Sequence, residues 1–288
     1  MSAQRPTALQ HFNGLAAHYE ASTGGCTRDV ARLALEFSPE FTGSSSVLDN
    51  ACGNGIVAQE ILLTANAASQ TPPAIHCVDG APAMVDLARA TIQPLPNAAL
   101  TKFDTMSGEA LSLPSDTFTH SITNIALLFF VDGLQGAKEI YRTLKPGGTA
   151  VVTSWKDLGY IRLVQQAQKA VRPNDPAMKP PVGEEWYREE HLVDVLRESD
   201  FADVRVDTKE VHYGATTVTA LCELLLVTFS GLTREWSDEE KTRFKSELEK
   251  AVAPAAQAFQ RPVWNGQEKK LQEFVGIPIT ALIAVAKK

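Results

Sequence analysis

Cysteine is scarce and scattered in this sequence: Cys26, Cys52, Cys77 and Cys222 are the four among 288 residues. No two form a C-x-x-C pair, so the spacing indicates neither a structural zinc site nor a disulfide framework, and a reducing setting is expected. An excess of positive charge is also missing. Twenty-seven Lys and Arg face 34 Asp and Glu, a net charge of −7 that repels a phosphate backbone. Aromatic residues make up 7% and are dispersed, so there is no stacking platform for bases, and nucleic acid is not expected as a partner. No apolar run approaches the roughly 18 residues that cross a bilayer; Ile125–Val131 and Leu224–Val227 are core-sized. The opening Met1 to Pro6 lacks the apolar stretch of a secretory signal, which makes a cytoplasmic protein with no membrane span the expectation. His18, His120, His191 and His212 have no metal-ligand spacing, and no metal is expected.

What is present is an alternation. Apolar residues at 44% and charged residues at 21% are those of a globular protein, and after a polar, helix-prone start through Ser38 short apolar runs alternate with longer amphipathic ones. Ser46–Asp49, Ile75–Asp79, Leu100–Phe103, His120–Ala126 and Thr149–Ser154 read as strands. Ile56–Ala67, Pro82–Thr91 and Leu134–Leu144 read as the helices between them, the last stopped by Lys145-Pro146-Gly147-Gly148. Past Trp155 the pattern loosens, and four prolines between Lys169 and Gly183 predict an irregular surface connection. Helices are expected at Glu189–Ser199, Val218–Phe229 and Asp238–Ala251, and late strands at Val204–Val211 and Ile279–Ala286.

The chemistry-bearing residues collect at strand ends, where open α/β sheets bind ligands. Asp49-Asn50-Ala51-Cys52-Gly53-Asn54-Gly55 closes the first strand, and its small residues let backbone N–H groups approach a ligand at a helix N-terminus. Asp79 ends the second strand, 24 residues after Gly55, where a carboxylate can accept both hydroxyls of a ribose. Gly53-x-Gly55-x-x-Ala58 also satisfies the relaxed dinucleotide fingerprint, and Tyr141-x-x-x-Lys145 is the pair of short-chain dehydrogenases. A nicotinamide-dependent oxidoreductase is therefore the alternative, with a non-catalytic cofactor-binding protein as a third reading. Tyr141 and Lys145 precede the fifth strand, on the wrong side of it for hydride chemistry. No residue is singled out as a catalytic base.

Taken in order, the motifs of residues 12–155 resemble those of class I S-adenosylmethionine-dependent methyltransferases. Val47-Leu48-Asp49-Asn50-Ala51-Cys52-Gly53-Asn54-Gly55 is similar to the first motif, with Ala51 at a usual glycine; Val78-Asp79 through Met84 to Arg89 is similar to the second. Gly108-Glu109-Ala110 through Pro114 resembles the third, with Glu109 for a more frequent Asp, and Glu139 to Gly148 completes the series. His11 to Glu20 is similar to the N-terminal helix of the ubiquinone/menaquinone-biosynthesis-like branch, and the Asp-Asn-Ala-Cys-Gly form resembles fungal secondary-metabolite methyltransferases. The resemblance implies an α/β fold: a seven-stranded doubly wound, mostly parallel sheet with a terminal antiparallel hairpin, an N-terminal helical cap and an inserted helical substrate cover. It implies a cap over 1–40, a cofactor-binding core over 41–156, the cover and sixth strand over 157–235, and a helix and final strand over 236–288 completing one domain. It further implies S-adenosyl-L-methionine as cofactor, held by Tyr19, Asp49, Ala51, Gly53, Gly55, Asp79, Met84, Glu109, Ala110 and Asn124. The methyl acceptor would be a small, largely apolar molecule facing Asn124, Trp155 and Tyr160.

Overall fold

In the computed structural model, which describes residues 8–16, 19–180 and 182–288, five short runs of apolar sequence become a parallel sheet. β1 (Ser46–Asn50), β2 (Ala74–Asp79), β3 (Thr101–Thr105), β4 (Phe118–Thr123) and β5 (Leu144–Leu158) lie in the order β3-β2-β1-β4-β5. β8 (Glu268–Lys287) pairs antiparallel with β5, and β6 (Asp203–Ala215) pairs antiparallel with β8. The two late strands thus meet antiparallel at the sheet end, as expected. An eighth strand accompanies them: β7 (Gln257–Asn265) forms a tight hairpin with the front half of β8 around Gly266, which has φ +62°. Its pattern is unreadable as a half-buried strand because the residue it buries is a charge, Arg261, flanked by Gln260 and Pro262.

Helices cover both faces, which is why β1, β4 and the middle of β5 are buried nearly throughout. On one face α3 (Cys26–Phe37), α4 (Ile56–Ala67) and α5 (Pro82–Ile92) bury Ala31, Ile61 and Ile92 against Val47, Ile75, Ile122 and Val151. On the other, α6 (Gly133–Thr143) and α8 (Glu189–Glu198) bury Ile140 and Leu192 in the cluster that holds Leu48, Leu144 and Val152. Asp132 starts α6 by accepting the Gln135 N–H at 2.9 Å. α1 (Ala8–Leu15) and α2 (Tyr19–Ser22) form the N-terminal cap, and α1 is fixed to α5 by Asn13 Oδ1, which accepts the Ala83 N–H at 3.1 Å.

The region after β5 is more regular than its sequence suggests. α7 (Tyr160–Val171) buries Tyr160, Ile161, Val164, Ala167 and Gln168, a stripe at helical spacing that its three glutamines disguise. Only past Arg172 is the proline-rich connection irregular, and Gln168 fastens it, donating to Pro176 O and accepting from Met178 N–H, both at 2.8 Å. α7 packs on α10 (Asp238–Val252), where Arg172 grips Glu240 through two bonds of 2.9 Å and lies over the Trp236 ring. α9 (Val218–Thr228) completes this group. Among the described residues no helix is long and apolar enough to cross a membrane.

Strand order reverses between β1 and β4, so the connections leaving their C-terminal ends diverge and open a crevice there. Ile122 lies fully buried in β4 beside it. Ile122→Ala is expected to lower unfolding free energy by about 2–5 kcal/mol in urea titration, the usual range for an unrelaxed core truncation.

Candidate functional site

Three left-handed residues shape the loop from β1 to α4: Ala51 (φ +54°), Gly53 (φ +54°) and Gly55 (φ +79°). Gly55 is required by packing as well, since a Cβ there would stand 2.6 Å from Ile92 Cδ1. Ala51 holds the same backbone region with a side chain, a strain of about 1–2 kcal/mol that is typical of functional loops. A Cβ on Gly53 would meet only Tyr19 Cε1, at 3.8 Å, so the Tyr19 ring stands directly over this turn.

Asp79 joins the loop to the end of β2. Its Oδ2 accepts the Gly53 N–H at 2.9 Å and its Oδ1 the Ala81 N–H at 2.8 Å. Each oxygen retains a lone pair, so the carboxylate can still accept two hydroxyl groups. Burial raises the Asp79 pKa, and the two N–H groups oppose that rise. Asp49, deeper in the sheet, accepts from Ala58 N–H at 3.3 Å, and burial pushes its carboxyl up to about 7. The Asn50 carboxamide and Asn54 Oδ1 beside this loop are buried without a hydrogen-bond partner.

The cap and two further loops gather around the same edge. Tyr19 meets Phe12 edge-on at 6.1 Å, Phe12 meets Phe129 at 5.2 Å, and Met84 is buried beneath them with Ala16 and Ala81. Burial drives the Tyr19 phenol well above its ordinary pKa, so it is a neutral hydrogen-bonding group. The loop after β3 starts beside Asp79, where Met106 N–H donates to Asp79 O at 3.0 Å, and continues through Glu109 to the exposed Ala110. Glu109 Oε1 accepts the Asp132 N–H at 2.6 Å, stapling this loop to the start of α6.

Of the residues expected to face the acceptor, Asn124 is committed on both sides. Its Nδ2 donates to Thr27 O and its Oδ1 accepts from Thr153 Oγ1, each at 3.0 Å, so it ties the β4 end to α3. Trp155 is buried in β5 opposite Ala281. Tyr160 opens α7 and packs on Tyr213 at 4.7 Å and Phe229 at 5.9 Å. Sequence reasoning overlooked Tyr213, Phe229 and Cys26, which share this compartment. Their one available signal was the run of Tyr213 beyond the expected strand end at Val211. Tyr213 Oη donates to Ser22 O at 2.9 Å, and burial pushes the Cys26 thiol up to about 12, too high for a free nucleophile. Tyr141 and Lys145 lie at the opposite, N-terminal edge of β5, where Tyr141 packs on Phe201 and Lys288. They are remote from the loops that carry Gly53 and Asp79.

The reversed strand order, glycine turn and antiparallel last strands are those of class I S-adenosylmethionine-dependent methyltransferases. Residues 48–152 match the family of methyltransferase domains. Methyltransferase tpcH of Aspergillus fumigatus is 24% identical over 210 residues, spanning 70% of this chain and 73% of the relative. Acetylaranotin bis-thiomethyltransferase of Aspergillus terreus is 26% identical over 239 residues, spanning 78% and 80%. The fold is also that of the (4+2)-cyclase SpnF, with a TM-score of 0.57 at 16% identity over 100% of this chain and 99% of that one. The protein is an S-adenosylmethionine-dependent methyltransferase, and S-adenosyl-L-methionine is its cofactor.

Because the Asp49 carboxyl rises from 3.8 to about 7 on folding, the native state holds its proton longer than the unfolded chain does. Its contribution to stability is complete below the unfolded value and is lost as pH rises through the folded one. Between pH 5 and pH 8 the wild type should lose on the order of 2 kcal/mol relative to Asp49→Asn, measured by urea unfolding at both pH values.

Proposed function

We propose that this chain transfers the methyl group in line to a small, largely apolar metabolite of secondary metabolism. The observation that carries the reading is the convergence at one sheet edge of Asp79, the Gly53 turn and Tyr19 with the aromatic compartment of Trp155, Tyr160, Tyr213 and Phe229 beyond β5. The residues present fit the cofactor: Asp79 has two lone pairs for a ribose diol, and the Asn50 carboxamide and Asn54 Oδ1 beside the loop are buried without a partner.

When bound, the sulfonium supplies an already activated methyl group. The chain supplies position. Asp79 would accept the ribose hydroxyls and the Ala51–Gly55 backbone would hold the amino-acid part, while Asp49 holds that loop through Ala58. Met84 and the Glu109–Ala110 loop flank the base, and Tyr19 closes over the turn with Phe12 behind it. Asn124 sets the β4 end while Trp155 and Tyr160 wall the acceptor space under α7 and α9, the cover. Holding the acceptor lone pair in line with the methyl group and excluding water provide the rate. The acceptor atom is S, O, N or C. Thiols, acidic phenols and enols ionise without a dedicated base, and the thiomethyltransferase relative makes a thiol the first acceptor to test.

S-adenosylhomocysteine should raise the melting temperature of the purified protein, and NAD and NADP at equal concentration should not. Stabilisation by a nicotinamide nucleotide alone would overturn the reading. Asp79→Asn, still folded, should weaken S-adenosylhomocysteine binding about 10- to 100-fold by calorimetry, the loss of one or two charge-assisted bonds. Unchanged affinity would remove Asp79 from the site.

A further inference from the structure

Arg28 on α3 is the node of an ion network that runs from the N-terminal cap to the C-terminal hairpin. Its Nη2 donates to Glu20 Oε2 at 2.8 Å and to Gln59 Oε1 at 3.0 Å, its Nε donates to Glu20 Oε1, and its Nη1 donates to Glu60 Oε1 at 3.0 Å. Glu60, only 1% exposed, also takes Arg32 Nη2 at 2.9 Å, Trp264 Nε1 at 3.0 Å and Lys269 Nζ at 3.8 Å. One guanidinium therefore grips the neighbour of Tyr19 and, on α4, the helix that begins where the Gly53 turn ends. α2 buries none of its four residues, so this fork, the Tyr213 and Thr228 hydroxyls on Ser22 O and the Tyr19 ring contacts help to fix it.

We propose that Glu20 is a positioning residue for the cofactor: through Arg28 it sets Tyr19 over Gly53, and it makes closure of the cap depend on ionic strength. The inference rests on the reading of the Asp79–Gly53–Tyr19 edge as the cofactor site. Glu20 is 40% exposed against 14% for Arg28, and the network's other solvent-facing member is Lys269, 37% exposed at the far end. Salt thus reaches the Glu20–Arg28 pair, while the Glu60 carboxylate, 1% exposed between Arg28 and Arg32, is shielded. Removing the Glu20 charge leaves Glu60 with Arg28, Arg32, Trp264 and Lys269, so the scaffold is retained.

The test is calorimetric titration of S-adenosylhomocysteine at low and high sodium chloride, with amide hydrogen exchange over the cap, on the wild type, Glu20→Gln and Glu20→Asp. Glu20→Gln should bind about tenfold more weakly at low salt, lose most of the salt dependence seen in the wild type, and exchange faster at residues 19–22. Its cofactor-free melting temperature should stay within about 2 °C. Glu20→Asp keeps the charge and should recover the salt dependence. Wild-type affinity and exchange in Glu20→Gln would overturn the proposal. So would weaker binding accompanied by a cofactor-free melting temperature lower by more than about 5 °C, which would make Glu20 a residue of the fold alone. A wild type that binds no S-adenosylhomocysteine would instead overturn the site reading itself.

Discussion

A carboxylate taken out of water imposes a condition on everything around it, because an uncompensated buried charge is among the most unfavourable features a fold can contain. Glu60 is that carboxylate. It lies on the helix that follows the β1 turn, and the groups that satisfy it come from α3, β7 and β8. A second pair, Arg261 to Asp29 at 2.7 Å with Arg261 also donating to His212 O at 2.8 Å, repeats the arrangement at the residue after Arg28 on α3. These pairs set how α3 meets the hairpin, because losing one partner would leave a buried charge unpaired. The hairpin lies outside the residues that match the methyltransferase-domain family, yet it fixes the helix on which the cap rests.

Against that polar scaffold the proposed cofactor site is built mostly from backbone. A left-handed turn aims the Gly53 N–H, and the extended Ala81 ahead of α5 aims a second, and the one carboxylate they share, Asp79, is at once a structural clasp between two strand ends and an open acceptor. The division of labour suits methyl transfer, in which the reacting group arrives activated and the protein must mainly orient and exclude. It also explains why the side chains at the β4 and β5 ends are tied down: Asn124 is bonded on both sides, and Ser154 donates to Trp186 O at 2.9 Å. Rigid walls hold an acceptor at a defined distance better than mobile ones.

The parallel half of this architecture was legible because burial on both faces writes itself as uninterrupted apolar sequence, as in Ala150-Val151-Val152, and because glycine turns mark where it stops. α7 was legible in principle, but its stripe is diluted by Gln165, Gln166 and Gln168. β7 was not, since Arg261 occupies the inward position that a strand pattern reserves for an apolar residue. Roles were harder to read than places. Glu109 stands on the expected loop, yet its Oε1 is spent on Asp132 N–H; Asn124 is at the expected strand end, yet it faces α3. Neighbours such as Tyr213 and Cys26 come together only because β6 and α3 meet in space, which no local pattern records.

β8 follows every other strand in the sequence but occupies an interior place, between β5 and β6. Until it is made, the long edge of β5 and the whole of β6 have no partner, and the pairing of Thr149 with Lys287 must close most of the second half of the chain. A nascent chain that has finished its methyltransferase motifs is therefore still an open sheet with an apolar edge of the kind that recruits foreign strands. β8 is thus the strand that joins the parallel half and β6 into one sheet, covering the long edge that β5 would otherwise offer to foreign strands.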